Sequence, residues 1–548
     1  MTPPSVPSHV KNVVDHAQMV RILAEAGVVR PMRPDKVARA LDALRRWGAS
    51  PAAGYAAAAA RHPDRTAISD ELGDVTFAEL HDRSRRLASS LADRGISEGD
   101  GVAIMCRNHR GFIETVVACS HLGANVLFMN TMFSKPQLTE VTEREAPSAM
   151  VYDEEFTELL DDIDDLPKFV AWHDGEVSDP TLDELIDSGS PDGVGSPDEP
   201  SGFTILTSGT TGTPKGAQRS GPSGLQPAAA LLQKIPLKAG ETTHIACPLF
   251  HSWGFAHFML GMLLGSTLVL RRGFDPEQSL QAIVDHDADA LIVVPVMMQR
   301  ILGLDDDVID GYDISSRLKV TAVSGSALTG KIDIRWMDTF GDNLYNLYGS
   351  TEVAWATIAQ PSDLRAAPGN AGKVPIGTTV RIVDEDGNDV EHGETGQIFV
   401  GNSMSFEGYT GGEESKDTLD DLISSGDLGH FDDEQRLHID GRDDEMIVSG
   451  GENVFPQELE DLLGERDEVD EVAVMGVDDE DWGQRLKAVV VLNEGEELSA
   501  DDVKQIVKDN LASYKVPRDV EFIDELPRNA TGKVLKNELT DDEDGGDA

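Results

Sequence analysis

The sequence predicts an α/β protein in which helices cover mainly parallel sheets. Two observations predict this class: short apolar runs of strand length alternate with amphipathic helical runs, and the alternation resumes after a loop-like stretch at 188–201. Repeated strand–helix units of this kind bring consecutive strands into parallel sheets. With 548 residues, the chain is also long enough for several packing units.

The individual elements follow in order from residue 76. Thr76 and Glu79 have the spacing of a capping box, and apolar residues follow on one face of a helix. A helix is predicted at 112–121 between strands at 102–105 and 125–129. After the loop, further strands are predicted at 203–206, 267–270, 291–294 and 318–323.

The pattern of predicted elements changes in the second half of the chain, and the whole chain is predicted to divide into three parts. Residues 374–401 read as short strands with a turn at Asp386-Gly387, which indicates a small β-barrel-like part of the large domain. A last unit has its own helices and strands. The predicted division is a helical N-terminal extension packed on the main body (1–65), a large N-terminal domain (66–441), and a small α+β C-terminal domain ending in an acidic tail (442–548).

Charge restricts the function class. The chain has 46 Lys and Arg against 99 Asp and Glu, a formal net charge of −53, and Arg outnumbers Lys. A polyanion repels nucleic acid, so we expect no nucleic-acid partner. An acidic, Lys-poor surface is typical of proteins from salt-rich cytoplasms, where salt screens the self-repulsion. Disorder is disfavoured because apolar runs are frequent and regular.

The first 65 residues differ from the rest, with ten basic against five acidic side chains. Two interpretations fit amphipathic helices with this charge. They could touch an anionic membrane surface peripherally, or they could pack on the main body with arginines pairing to carboxylates. We favour the second, because charge patterning alone is weak support for membrane contact.

Compartment is indicated by cysteine usage and by the N-terminus. Cys106, Cys119 and Cys247 show no CxxC spacing, so neither a disulfide framework nor a zinc knuckle is predicted. The N-terminus has no signal-peptide pattern, and the longest apolar run, 255–270, is too short to span a membrane. We therefore expect a soluble, cytoplasmic protein without a transmembrane segment.

The sharpest local signal is the segment TSGTTGTPKG at 207–216. It follows an apolar strand, where a phosphate-binding loop of an α/β sheet belongs. Its glycines allow backbone amides to approach an oxyanion, and hydroxyls with one lysine add donors. It differs from the Walker pattern, because Pro214 and Gly216 stand where Gly and Ser or Thr are required. The candidate phosphate-binding residues are Thr207, Ser208, Gly209, Thr210, Thr211, Gly212 and Lys215.

This segment and five others, in the same order, resemble the signatures of the adenylate-forming (AMP-binding) superfamily. The others are PLFH at 248–251, YGSTE at 348–352, SGD at 425–427, GRDD at 441–444 and PRNATGK at 527–533. The resemblance covers roughly residues 60–539. Ser425 and Thr531 replace the family's commoner Thr and Ser, and both keep a hydroxyl.

The resemblance implies an enzyme that uses ATP, Mg²⁺ and coenzyme A. Glu352 is implied in holding Mg²⁺, Thr351 lies near the α-phosphate, and Lys533 is the catalytic cation of adenylate formation. The nucleotide is implied to contact these residues: Gly325, Ser326, Ala327, Tyr348, Gly349, Ser350, Asp427 and Arg442.

A second half-reaction follows from the same resemblance, in which a thiol attacks the adenylate. The small domain is implied to be mobile and to rotate about Asp444, which withdraws Lys533 and brings in Gly450 and Gly451 beside the pantetheine arm. A simple turn before the helix at Pro456 would also explain those glycines. His251 is implied to lie near the acyl carboxylate and the thiol entrance, although a histidine beside Trp253 and Phe255 could simply pack.

The expected reaction is activation of a carboxylic acid and its transfer to coenzyme A, with release of AMP and pyrophosphate. An acyl pocket or plain core could be formed by apolar side chains of the predicted helix after His251 and of three later segments, which are Phe255, Ala256, Phe258, Met259, Met262, Leu263, Val296, Met297 and residues 353–355. The resemblance extends to medium- and long-chain fatty-acyl-CoA synthetases, which favours a fatty acid. Two alternatives stay open: loading of a separate carrier protein, and an inactive nucleotide-binding scaffold, which the presence of Lys533, Glu352 and Asp427 disfavours.

Overall fold

The structure is a computed structural model that describes residues 8–163, 165–207, 215–219, 224–404, 406, 408–409, 416–442, 447–449, 452–479, 483–529 and 532–539. The helices are α1 Ser8–Glu25, α2 Pro34–Trp47, α3 Pro51–Arg61, α4 Phe77–Asp93, α5 Arg110–Leu122, α6 Lys135–Glu145, α7 Leu182–Ser188, α8 Gln226–Lys234, α9 Ser252–Leu264, α10 Pro276–Asp285, α11 Pro295–Leu302, α12 Asp306–Asp310, α13 Gly330–Phe340, α14 Pro361–Ala366, α15 Pro456–Gly464 and α16 Ala500–Asn510.

The strands of the large domain are β1 Thr66–Asp70, β2 Gly73–Thr76, β3 Gly101–Met105, β4 Asn125–Phe128, β5 Ala149–Asp153, β6 Lys168–Trp172, β7 Phe203–Thr207, β8 Lys215–Arg219, β9 Thr242–Ile245, β10 Thr267–Leu270, β11 Ala290–Val293, β12 Val320–Val323, β13 Leu344–Tyr348, β14 Thr357–Ala359, β15 Thr379–Val383, β16 Gly396–Gly401, β17 Gly408–Tyr409, β18 Thr418–Leu419, β19 Leu422–Phe431 and β20 Leu437–Arg442. The strands of the small domain are β21 Ile447–Ser449, β22 Glu452–Val454, β23 Val469–Asp479, β24 Gly483–Leu492 and β25 Asp519–Phe522.

The predicted helix-covered, mainly parallel sheets are confirmed. One sheet has the strand order β14-β13-β12-β11-β9-β10-β1-β2, with antiparallel pairing at its two ends and parallel pairing between. The other has the order β17-β8-β7-β4-β3-β5-β6, in which β7, β4, β3, β5 and β6 are parallel. Their inner strands are almost wholly buried and rich in Val, Ile and Leu, as sheets covered on both faces require.

The short strands that the sequence predicts after residue 374 form an antiparallel sheet of β15, β16, β19 and β18, with β20 paired to β19. This sheet carries Asp427 and Arg442 toward the parallel sheets. The separate small α+β domain is also confirmed: α15 and α16 pack on the sheet of β21–β25, around its own apolar core.

The N-terminal helices contact the large domain. Ile22 and Leu23 of α1, together with Ala26 directly after it, are buried in the main core cluster. The amide of Ala239 donates to the carbonyl of Ala26 (2.7 Å), and Lys238 Nζ donates to the carbonyl of Glu25 (3.0 Å). Within the described ranges, no helix is both long enough and apolar enough to span a membrane.

Candidate active site

Four neighbouring parallel strands, β13, β12, β11 and β9, end at one edge of their sheet. The register pairs Val323 with Asn346 and Val293 with Val323, so the carboxyl ends of these strands lie side by side. The chain segments that follow them are 246–251, 294–297, 324–327 and 349–352. Crevices outside the carboxyl ends of parallel strands are where open α/β sheets bind ligands, and residues of all four segments line one large cavity.

The backbone after β12 and β13 approaches its neighbours closely. Gly325 adopts a left-handed φ of 106°, a conformation that favours glycine. A Cβ on Gly349 would lie 2.3 Å from the carbonyl oxygen of Ala354, so only glycine fits there. Gly325, Ser326, Ala327, Gly349 and Ser350 all line the cavity, which is where the sequence-based assignment needs them.

A hydroxyl-centred turn holds the candidate metal ligand. Ser350 Oγ accepts from the amides of Glu352 (3.2 Å) and Val353 (3.3 Å), and it donates to Glu352 Oε2 (2.7 Å). Glu352 and Thr351 are half-buried and line the cavity. A carboxylate oriented in this way is a suitable ligand for Mg²⁺, which prefers oxygen.

Tyr348, Asp427 and Arg442 come together from three strands. The Tyr348 hydroxyl donates to Asp427 Oδ2 (2.5 Å) and contacts Ser425 Oγ (3.1 Å), while Asp427 and Arg442 are register partners on β19 and β20. Burial and the neighbouring Asp427 carboxylate raise the pKa of Tyr348, so the phenol keeps its proton. All three residues line the cavity, where they could contact a nucleoside.

Lys533 reaches the same cavity from the small domain. Its amide donates to Asn529 Oδ1 (2.9 Å), and its carbonyl accepts from the Asn529 amide (2.9 Å), which closes a tight turn. Gly532 in this turn has a φ of 78°, and a Cβ there would lie 2.2 Å from Val296 Cγ1 on α11. The turn is therefore seated directly against the large domain.

Lys331 forms a second contact between the large domain and the small domain. Its Nζ, at the start of α13, donates to the carbonyls of Arg466 (3.0 Å) and Val469 (3.1 Å). Arg300 and Glu525 form a longer contact of 3.8 Å across the same interface. Sequence reasoning missed Lys331, because carbonyl acceptors on another domain leave no signal in the sequence.

His251 stands at the beginning of α9 and lines the cavity. Its ring lies 4.4 Å from that of Phe250, and its Nε2 is shielded from solvent without a hydrogen-bond partner. Burial lowers its pKa to about 3, so the imidazole is neutral near pH 7. A neutral, unpaired ring nitrogen facing a cavity fits a role toward a ligand better than simple packing.

Asn108 positions the segment that leads to His251, and sequence patterns do not reveal this role. Its buried amide nitrogen donates to the carbonyls of Ile245 (3.3 Å) and Cys247 (2.8 Å), and its oxygen accepts from the Leu249 amide (2.8 Å). Buried polar groups of this kind define one backbone path, because each lost partner is costly. A lone Asn after a strand is too common to be recognised from sequence.

The cavity has a volume of about 2240 Å³ and a largely apolar wall along α9. Phe255, Met259, Met262 and Leu263, together with Val296, Ala354 and Trp355, line it as the sequence suggests. Three residues expected in the cavity wall lie elsewhere. Phe258 is buried in the main hydrophobic core, Val353 packs against residues of β16, and Met297 lines a neighbouring cavity of about 590 Å³.

Part of the expected site falls outside the described residues. These positions are Ser208, Gly209, Thr210, Thr211, Gly212, Asp444, Gly450 and Gly451. The flanking backbone is described: Thr207 on β7 pairs with Lys215 on β8 in antiparallel register, so the expected phosphate loop connects two adjacent strands.

The fold and this cavity define a nucleotide-dependent ligase with a large α/β domain and a small domain that contributes a lysine. The family model of AMP-binding enzymes matches residues 55–410, and that of the AMP-binding enzyme C-terminal domain matches 458–533. The chain belongs to the AMP-binding enzyme family, and it is an AMP-forming acid–thiol ligase. The expected ATP, Mg²⁺ and coenzyme A are the cofactors of this class.

Its relatives include several acid–CoA ligases. It is 34% identical over 488 residues to indoleacetate–CoA ligase of Aromatoleum aromaticum, which covers 87% of this chain and 95% of the relative. It is 32% identical to a feruloyl-CoA synthase of Amycolatopsis sp., covering 87% of this chain and 96% of the relative. Among solved structures, the o-succinylbenzoate CoA synthetase of Bacillus subtilis with its acyl-adenylate has a TM-score of 0.76 at 27% identity, covering 89% and 98% of the two chains. ATP-bound MatB from Rhodopseudomonas palustris has a TM-score of 0.80 at 26% identity, covering 90% and 99%.

Proposed function

We propose that this enzyme converts an apolar monocarboxylic acid to its CoA thioester through an acyl-adenylate formed in the cavity described above. The observation that carries this proposal is the convergence of Glu352, Asp427, Arg442 and Lys533 on one cavity with an apolar wall. Four separate chain segments supply these side chains: the loop after β13, strands β19 and β20, and the small domain. An inert scaffold has no need for that convergence.

In the first half-reaction, a carboxylate oxygen of the acid attacks the α-phosphorus of ATP, and the P–O bond to pyrophosphate breaks. In this proposal, Lys533 stabilises the negative charge that shifts between the carboxylate and the phosphate. Asp427 accepts from the ribose hydroxyls, and Tyr348 presents its ring to adenine. Glu352 would hold Mg²⁺, which supplies Lewis-acid stabilisation of the phosphate oxygens when bound.

In the second half-reaction, the sulfur of coenzyme A attacks the acyl carbon, and the bond to AMP breaks as AMP leaves. We propose that the small domain rotates about Asp444, which removes Lys533 and brings Gly450 and Gly451 to the thiol channel. Neutral His251 lies where it could orient the acyl carbonyl. The division into 1–65, 66–441 and 442–548 is part of this proposal, because it sets the rotating unit.

For the substrate, we favour an acid with an apolar, aromatic body. Support comes from the aromatic side chains of the wall, such as Trp253, Phe255 and Trp355, and from relatives named for indoleacetate and ferulate. A fatty acid is the second candidate, because α9 gives the wall the length of an extended chain. The cytoplasmic location and the use of a fatty acid remain predictions of the sequence.

The test is a pyrophosphate-release screen over aromatic and aliphatic acids, with and without coenzyme A, in concentrated KCl. We expect AMP, pyrophosphate and a CoA thioester in equal amounts for at least one apolar acid. Release of ADP and phosphate would overturn the mechanism. Adenylate formation that coenzyme A cannot discharge would point to a carrier protein as the acceptor.

A further inference from the structure

Lys331 occupies an unusual place for a lysine. It is the second residue of α13, and a cation in the first turn of a helix interacts unfavourably with the dipole of that helix. Its Nζ leaves the large domain and donates to the carbonyls of Arg466 (3.0 Å) and Val469 (3.1 Å) in the small domain. The contact between the domains, and not the local helix, therefore explains the lysine.

The large-domain end of this contact is held firmly. A Cβ on Gly330, directly before Lys331, would lie 2.7 Å from Pro368 Cβ, so α13 begins in close contact with the segment at 368–369. One turn further on, Asp333 Oδ2 accepts from the Gly369 amide (2.8 Å). The backbone that carries Lys331 is thus fixed on the large domain.

The small-domain end is a tight connection between α15 and β23, which we name the 466–469 turn. The Val469 amide donates to the Arg466 carbonyl (3.3 Å) within it. Asn493 holds the two residues between them, because its side-chain amide donates to the Asp467 carbonyl (2.8 Å) and its backbone amide to the Glu468 carbonyl (3.0 Å). The two acceptors of Lys331 therefore move only with the small domain as a whole.

The acceptors of Lys331 are neutral carbonyls, which matters in concentrated salt. Arg300 and Glu525 also face each other across the interface, but at 3.8 Å and with side chains that are 54% and 77% exposed, so salt screens their attraction. Within the described ranges, Lys331 forms no ion pair with a carboxylate. Its two hydrogen bonds act at contact distance, where screening has less effect, and they persist in the salt that a net charge of −53 demands.

We propose that Lys331 is a positioning residue that holds the small domain in the adenylate-forming arrangement and thereby sets the balance between the two half-reactions. This inference rests on the proposed function, in which the small domain rotates. Rotation carries the 466–469 turn away while Lys331 stays on α13, so both hydrogen bonds break. Because they stabilise the first arrangement alone, their loss changes the ratio of the two arrangements by the same factor whichever arrangement predominates.

The test compares two substitutions of Lys331 with one control. Lys331→Met removes the ammonium and keeps the length of the side chain, whereas Lys331→Arg keeps a cationic donor. Lys319→Met is the control, because Lys319 forms its ion pairs with Glu241 (3.0 Å) and Asp289 (2.6 Å) inside the large domain. The readout is the rate of transfer of a synthetic acyl-adenylate to coenzyme A, divided by the rate of pyrophosphate exchange with the best acid of the screen. A general loss of stability lowers both rates and leaves this quotient unchanged.

We expect the quotient to rise about fivefold in Lys331→Met, the size of effect that one partly exposed charged contact supplies. It should stay near the wild-type value in Lys331→Arg and in Lys319→Met. An unchanged quotient in Lys331→Met, or an equal rise in Lys319→Met, would overturn the proposal.

A second measurement needs no known acid. Spin labels are attached to cysteines introduced at Leu72 in the large domain and Lys508 in the small domain, both exposed, while the three native cysteines are buried. With saturating ATP, pulsed electron paramagnetic resonance should show a second distance whose share relative to the first grows about fivefold in Lys331→Met. Identical distance distributions with and without Lys331 would overturn its role. If no acid is ligated, the proposed function fails, and these distances still decide whether Lys331 holds the small domain.

Discussion

The Tyr348 hydroxyl orients a carboxylate that we assign to nucleotide binding. Its hydrogen bond to Asp427 crosses from the parallel sheet to the antiparallel sheet and orients the carboxylate that we assign to the ribose. Hydrogen bonds to charged groups contribute about 1.5–3 kcal/mol.

We predict that Tyr348→Phe raises KM for ATP by about tenfold, because Asp427 loses a hydrogen-bond donor that orients its carboxylate. Tyr345→Phe on the same strand is the matched control, since Tyr345 does not line the cavity. Initial rates at varied ATP measure both. Equal KM values for the two variants would contradict a nucleotide role for this hydroxyl.

Buried Asp333 predicts how the stability of the fold depends on pH. It is fully buried in α13, with Oδ2 accepting from the Gly369 amide (2.8 Å) and Oδ1 unpaired, and burial raises its pKa to about 7. The folded state thus holds a proton that the unfolded state releases near pH 4, so this group lowers stability as pH rises from about 4 to 7.

Asp333→Asn should therefore raise the free energy of unfolding above pH 7, by at most about 4 kcal/mol, with the gain vanishing near pH 4. Denaturation curves of both proteins at fixed KCl across this range provide the measurement. A constant difference at all pH values would show that Asp333 titrates normally.

At the scale of elements, the Lys533 turn docks on α11 through Gly532. The left-handed φ and the close approach of Val296 both exclude a side chain. Gly495 offers a matched control in the same small domain, because it has a φ of 85° and open space around its Cβ position.

We predict that Gly532→Ala slows adenylate formation by tenfold or more, whereas Gly495→Ala incurs only the backbone cost of about 1–2 kcal/mol in stability. Displacing the turn from Val296 moves Lys533 away from the reacting charge. Pyrophosphate exchange reports adenylation directly. Comparable exchange rates in the two variants would mean that the contact with α11 does not position Lys533.

Elements also show what sequence can and cannot predict. The alternation of strands and helices and the capping box at Thr76 are local signals, and the structure confirms them. The pairing of Asp427 with Tyr348, and the contact of Lys331 with the small domain, join residues far apart in the chain. Such contacts depend on topology, which local patterns do not encode. Only the resemblance to the family's motifs predicts that Asp427, Glu352 and Lys533 belong to one site.

For the whole molecule, the net charge of −53 predicts a dependence on salt. The Debye length grows from about 3 Å at 1 M to about 10 Å at 0.1 M, so repulsion between surface carboxylates reaches more neighbours at low salt. Surface arginines that form ion pairs, such as Arg365 with Asp338 and Asp342, offset only part of this repulsion.

We predict that the melting temperature rises steeply between about 0.1 M and 3 M KCl, a range that spans this change in screening. Thermal unfolding at a series of KCl concentrations, with activity recorded in parallel, measures it. An unchanged melting temperature over that range would refute salt adaptation, and the acidic composition would then need another explanation.

In the proposed mechanism, Lys533 acts in adenylate formation alone, within a cavity that serves two half-reactions. The most direct measurement compares both half-reactions in Lys533→Ala, with Lys508→Ala on α16 as the exposed-lysine control. We predict that pyrophosphate exchange falls by about 10²–10³, the usual effect of removing one donor to developing charge, while transfer of a synthetic acyl-adenylate to coenzyme A stays within a few-fold of wild type. Equal losses in both half-reactions would contradict the account, because one static site would then perform all the chemistry.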